Sequence, residues 1–212
     1  MAEGLRERNK REKLERALKA ARELFSRQGF EATTIRQIAD HAGIGLGTLY
    51  SYVQNKHDLL DALFYEQWSG VEDAAYASLP EDAGLVDSLL HIFSAMVASY
   101  AKDFELSKTF VRETLFPTAA SVEVRLERTM RVLTRLGGLV ERAQQRGEVD
   151  KAVEPLAAAA NLFGLYLVNL VGWFSGLGTI EEFLERLRLS LELQLRGLQP
   201  AAQAVPKGKS RT

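Results

Sequence analysis

Between Gly45 and Lys56 the chain sets hydroxyls and an ammonium at close intervals: Thr48, Tyr50, Ser51, Tyr52 and Lys56. Such groups suit hydrogen bonding to phosphate oxygens, and no motif nearby turns them to covalent chemistry. His41, His57 and His91 are scattered, with no HExxH or related spacing that would hold a metal. No GxSxG, SxxK or paired-carboxylate constellation occurs in a supporting context. Cysteine is absent, which excludes thiolate ligands and a thiol nucleophile and fits a reducing, cytoplasmic setting. GIGLG (residues 43–47) has the look of a glycine-rich phosphate loop, yet it follows a helical pattern and no Gly-Lys-Ser/Thr closes it. The residues point to a binding protein with no catalytic group, metal or cofactor.

Two short helices must position these groups. Thr34 and Gln37 have capping-box spacing, so a helix should begin at about Ile35. Ile38, Ala39 and Ala42 bury one side of it before Gly43 ends it. Ala39 allows a close helix crossing, and Gly43 supplies a sharp turn. Ile44, Leu49 and Val53 form the apolar side of a second helix, over roughly Leu46–Val53. Its opposite face presents Gly45, Leu46, Thr48, Tyr50, Ser51 and Tyr52. Two tyrosines exposed on so short a helix are costly unless a partner covers them. Upstream, Leu14, Ala17, Leu18, Ala21, Leu24 and Phe25 mark an amphipathic helix over about Asn9–Gln28, with Gly29 after its end. Residues 5–13 (LRERNKREK) read as a frayed basic arm. Nine Lys/Arg against five Asp/Glu in residues 1–28, on a chain of net charge -1, give that end alone a preference for a polyanion.

The stretch TTIRQIADHAGIGLGTLYSYVQNKHDLLDAL resembles the DNA-binding domain of the TetR family of bacterial transcriptional regulators. The resemblance covers about residues 10–64 and is carried most specifically by TLYxYxxNK. It implies that Thr33 and Thr34 stand at the amino end of the helix crossing the DNA backbone. Gly45, Leu46, Gly47, Thr48, Tyr50 and Tyr52 would lie on or just before the recognition helix, and Lys56 would bind a phosphate. Many members carry a polar or basic residue where this chain has Gly45 and Leu46. Leucine contacts a thymine methyl but cannot hydrogen-bond a base edge, which shifts weight to phosphate contacts and DNA shape.

Beyond this module, Asn55 is a natural N-cap, with Asp58 at N3 and Asp61 one turn on. The helix it opens carries Leu60, Leu63, Phe64, Trp68 and Val71 and should run to about Ser78. Pro80 and Gly84 mark a boundary at roughly 79–84. Helical blocks follow at about 86–104, 105–116, 119–146 and 180–198, separated by Pro117, Gly147 and the uncharged stretch 155–180. The predicted class is all-α, about nine helices. An amino-terminal three-helix helix-turn-helix domain (1–55) and a connecting helix (56–78) precede a ligand-binding and dimerisation domain (84–198) and a disordered tail (199–212). The bulky residues Phe93, Met96, Tyr100, Phe104, Phe110, Phe116 and Met130 suit a core. With Phe163, Tyr166, Asn169 and Trp173, and with the resemblance in mind, they are also the candidates to line a pocket for a small apolar effector.

Residues 155–180 carry no charge and are long enough to span a bilayer. Asn161 and Asn169 lie inside this stretch and its flanks are acidic, which argues instead for a helix buried on both sides. Ala160, Gly164, Val168, Gly172 and Gly176 repeat along one side; Phe163, Tyr166, Leu170, Trp173 and Phe174 occupy the other. Thr179 and Glu182 open a final helix with Ile180, Phe183, Leu184, Leu187, Leu191 and Leu195 in one stripe and Leu189 and Leu193 outside it. The resemblance implies that the last two helices form a homodimer interface, with Ala160, Gly164, Val168, Gly172, Gly176, Leu184, Leu187 and Leu191 as its candidates. The partners implied are double-stranded operator DNA, an apolar effector and a second copy of the chain, with no membrane.

Overall fold

The computed structural model describes residues 4–115 and 122–199, apart from the side chains of residues 5, 6 and 66. Among the described residues there are nine helices and no strand. They are α1 (Leu5–Gln28), α2 (Ile35–Ala42), α3 (Leu46–Tyr50), α4 (Lys56–Ala77), α5 (Leu85–Ala101), α6 (Phe104–Leu115), α7 (Val122–Gln145), α8 (Pro155–Phe174) and α9 (Ile180–Leu198). The expected all-α class is the observed one. Phe116 and the tail after residue 199 lie outside the described residues.

The chain divides into two compact units. The first comprises residues 1–78 and 94–125, and the second residues 79–93 and 126–212. Both α5 and α7 therefore contribute residues to each unit.

In the first unit, α1 packs on α2, α4 and α6. Its inner face is Ala17, Leu18, Ala20, Ala21, Leu24 and Phe25, all buried together with Ile38 and Ala39 of α2 and Leu59, Leu60, Leu63 and Phe64 of α4. Full burial of each large side chain contributes about 1.5–3 kcal/mol, so this face is what holds the short α2 and α3 in place. The basic arm expected to fray is instead part of α1, which begins at Leu5 and carries the i,i+4 pairs Arg8–Glu12 and Arg11–Glu15. The helix stops at Gly29, whose φ of 85° a side-chain-bearing residue would adopt only with strain.

In the second unit α8 packs on α9. Ala158, Ala159, Leu162, Tyr166, Leu170 and Trp173 form the buried side of α8, and Phe183, Leu187 and Leu191 that of α9. By length and composition α8 is the one described helix able to cross a membrane, a property that core helices share. Glu154 caps its start by accepting from the Leu156 and Ala157 amides, and Thr179 with Glu182 forms the capping box that opens α9.

Candidate nucleic-acid interface

The turn between α2 and α3 is built from three local devices. Thr34 Oγ1 accepts the Gln37 amide at 3.2 Å while the Thr34 amide donates to Gln37 Oε1 at 2.8 Å, closing the expected box. Gly43 ends α2 in the left-handed region at φ 60°. Leu49 and Val53, both buried, anchor α3 and the turn after it. The helix expected over Leu46–Val53 is shorter: α3 is one turn and a half, Leu46–Tyr50, and residues 51 and 52 continue as a turn. Ser51 Oγ donates to the Thr48 carbonyl at 2.7 Å, a local bond that competes with continuing the helix.

Around this turn the expected contact residues separate. Gly45, Gly47, Tyr50 and Ser51 are exposed, Tyr50 to 50%, and Leu46, Thr48 and Tyr52 are half-buried. A phenol and a threonine hydroxyl thus share a surface with two glycines, a shape a duplex can approach closely. Thr33 is corrected: it is buried, and its hydroxyl donates to the Gly29 carbonyl at 2.7 Å, so that side chain holds the α1–α2 connection and does not face a partner. Thr34 is exposed but its oxygen is engaged in the cap. The Lys56 ammonium donates to the carbonyls of Phe30 at 2.9 Å and Glu31 at 3.2 Å and lies 4.4 Å from the Phe30 ring centroid. It ties the start of α4 to the loop before α2.

Two basic residues were missed by the sequence reading. Arg16 of α1 reaches 26 and 27 residues along the chain: Nε donates to the Ala42 carbonyl at 3.0 Å, and Nη2 to the same oxygen and to Gly43 at 2.8 Å. It satisfies the carbonyls that α2 leaves open at its end, at the corner where the module turns. Arg36, in the first turn of α2, is exposed and has no ion pair among the described residues. A cation there opposes the helix dipole, an oddity that the sequence did carry. His41 Nε2 lies 2.8 Å from Glu23, whose carboxyl is held below its ordinary range, chiefly by that hydrogen bond.

A charged cluster extends the module along α4 and α6. Arg112 pairs with Glu31 at 2.9 Å and with Glu113 at 3.1 Å, and Glu113 lies 3.3 Å from His57. The N-cap Asn55 accepts the His57 and Asp58 amides, fixing where α4 begins relative to the turn.

The aromatic residues grouped as one candidate pocket fall into two clusters, one per unit. In the first unit Phe64 stacks on Phe110 with ring centroids 4.3 Å apart, and Trp68 meets Phe110 and Tyr100 edge-on, each at 5.3 Å. Met96 is buried and Phe104 half-buried there. In the second unit Phe93 stacks on Tyr166 at 4.2 Å, with Phe163 and Phe183 beyond and Trp173 against Phe183. Asn169 donates to the Leu165 carbonyl of its own helix at 2.9 Å. Met130 is corrected, being 50% exposed and no part of either cluster.

The interface candidates also divide. Ala160 and Val168 are exposed and Gly164 and Leu184 half-buried. Leu187 and Leu191 are fully buried in their own chain, a correction; the leucines of α9 left outside are Leu189 and Leu193, 67% and 71% exposed. Gly172 is half-buried and Gly176 lies beyond the end of α8 with φ 89°, shaping a turn and not a helix face.

Comparison with known proteins agrees with this geometry. The family model described as bacterial regulatory proteins of the tetR family matches residues 17–63. The HTH-type transcriptional repressor KstR of Rhodococcus jostii is 26% identical over 188 residues, covering 87% of this chain and 84% of the relative. The fold matches Thermus thermophilus FadR, a TetR-family repressor crystallised with lauroyl-CoA, at a TM-score of 0.73 and 23% identity, covering 90% of this chain and 98% of that one. It also matches Bacillus subtilis FadR in complex with stearoyl-CoA, at 0.68 and 21%, covering 87% and 99%. The helix-turn-helix with its capped α2 and tyrosine-bearing α3 falls inside the family-model match, and residues 17–63 are a DNA-binding domain of the tetR family of bacterial regulatory proteins.

Proposed function

We propose that the protein is a cytoplasmic homodimeric repressor released from its operator by an apolar acyl compound. The observation that carries this reading is the path of α4. It begins at Lys56 after its N-cap Asn55, directly following the recognition turn in the chain, and carries Phe64 and Trp68 into the aromatic cluster with Phe110 and Tyr100. A ligand that rearranges those rings acts on the helix whose first residues hold the module. The Arg112–Glu31 and His57–Glu113 pairs join α6 to the same place. The relatives crystallised with lauroyl-CoA and stearoyl-CoA supply the chemical class.

Each subunit presents Tyr50, Thr48 and Leu46 to a major groove, with phosphates taken by exposed cations of α1 and α2. The two half-sites lie about 34–36 Å apart, or a further turn away. The effector shifts the dimer from DNA only by its greater affinity for the unbound arrangement.

A gel shift with fragments upstream of the protein's own gene tests both halves. Retardation relieved by lauroyl-CoA is the expected result; retardation unaffected by any compound that binds the protein sinks effector control. Retardation that effector strengthens would reverse the direction of control, with a reporter fusion separating activation from co-repression, and no retardation at all would assign a protein-interaction module.

A further inference from the structure

Asp61 and Trp68 lie seven residues apart on α4, two turns or about 10 Å along one face. Asp61 is buried, and so is its partner Arg125, 7% exposed, whose Nη2 donates to Asp61 Oδ1 at 3.1 Å. Guanidinium carries five N–H donors in a rigid plane. Nε and Nη1 of Arg125 are sealed from solvent and, among the described residues, meet no acceptor; the same holds for Nε1 of Trp68. Native structures seldom bury a donor this way, and a charged one least of all, unless something completes it.

The surroundings say what kind of group that is. Phe64, Phe110 and Tyr100 group with Trp68, so the surface two turns along α4 from the Asp61–Arg125 pair is aromatic and apolar. Asp61 already balances the charge of Arg125. An anion added here would leave the buried pair negative, whereas a neutral oxygen acceptor would satisfy the donors at no charge. We propose that Arg125 donates to the acyl carbonyl oxygen of the effector, with Trp68 as a second donor to an amide carbonyl of the pantetheine arm. Asp61 is a positioning residue that turns the guanidinium. The proposal rests on the reading above that an acyl compound is the effector, and it adds which oxygen is read and by what.

The test compares lauroyl-CoA with S-dodecyl-CoA, its thioether analogue, which keeps chain and headgroup and lacks only the carbonyl. Calorimetry on the full-length wild type should show lauroyl-CoA bound about tenfold more tightly, the worth of one hydrogen bond to a charged donor. Arg125→Lys keeps a cation for Asp61 but loses the planar fork, and should reduce that preference to about twofold or less. Trp68→Phe keeps the ring without its N–H and should weaken both compounds by several-fold. Circular dichroism melting checks the fold of each, and the wild-type comparison of the two compounds carries the test if Arg125→Lys fails to fold. Equal binding of the two compounds by wild type overturns the carbonyl assignment, as does a tenfold preference retained in Arg125→Lys. Failure of wild type to bind either also overturns it. In each of those cases the gel shift decides the repressor reading separately, because retardation of DNA needs neither compound.

Discussion

Arg16 Nη2 sits 2.8 Å from the carbonyl oxygen of Gly43, joining a residue in the middle of α1 to the corner of the helix-turn-helix. A Cβ built on Gly43 would come within 3.0 Å of that nitrogen, so the bare backbone and the guanidinium are fitted to each other. The bond gives α1, a helix that reads as mere support, a direct part in setting the angle between α2 and α3.

Arg16→Ala should therefore lower stability by about 1–2 kcal/mol, the range for hydrogen bonds from a charged donor at a partly exposed site. It should also weaken operator binding several-fold beyond that loss at temperatures where the variant is fully folded. Arg16→Lys should recover part of each. Thermal melting and a gel shift on the same preparations check this; wild-type operator affinity in Arg16→Ala would confine the residue to stability.

Arg36 and Lys56 should differ in kind. Arg36→Ala removes an exposed cation that opposes the α2 dipole, so stability should hold or rise by a few tenths of a kcal/mol. Operator affinity should fall, and the slope of log affinity against log salt should drop by about one. Lys56→Ala removes bonds to the Phe30 and Glu31 carbonyls and should first cost about 1 kcal/mol of stability. A loss of slope in Lys56→Ala equal to that in Arg36→Ala would return a phosphate contact to Lys56.

Glu23 carries a pH signature. Its folded pKa lies below the ordinary 4.5, first through the hydrogen bond with His41, with partial desolvation opposing and the charges of Lys19, His41 and Arg27 adding to the depression. A depressed carboxylate stabilises the fold above its unfolded pKa and loses that contribution as pH falls through the folded value. The melting temperature of Glu23→Gln should trail wild type near neutral pH, by a small margin because the pair is exposed, and the gap should close in acid. A gap that stays constant down to the acid limit would exclude the carboxylate as its source.

Val168, Leu189 and Leu193 are exposed to 73%, 67% and 71%, leaving apolar surface on the outer sides of α8 and α9. Val168→Glu with Leu193→Glu should give a folded monomer by sedimentation, with operator affinity reduced at least a hundredfold through loss of the second half-site. Leu191→Ala, by contrast, should cost about 2–5 kcal/mol without moving the oligomeric state, since that side chain is buried in its own chain. Dimers in the double variant would point to another interface.

What the sequence by itself determined is what depends on neighbours three or four residues away. The caps at Thr34, Asn55 and Thr179, the turns at Gly29 and Gly43 and the amphipathic stripes of α1 and α4 are local hydrogen bonds or local periodicity, and each stands where the residues place it. Tertiary structure decided what depends on distant partners. Thr33 and Thr34 are adjacent and alike, yet one hydroxyl is turned inward by Gly29 and the other caps a helix. Phe93 and Met96 lie one turn apart on α5, yet belong to different units. Periodicity separates Leu187 and Leu191 from Leu189 and Leu193 but does not say which pair faces the chain's own core, because an apolar stripe can bury against its own chain or against a second copy. The bond from Arg16 to Gly43 has no local trace at all, since only the packing of α1 against α2 brings the two together.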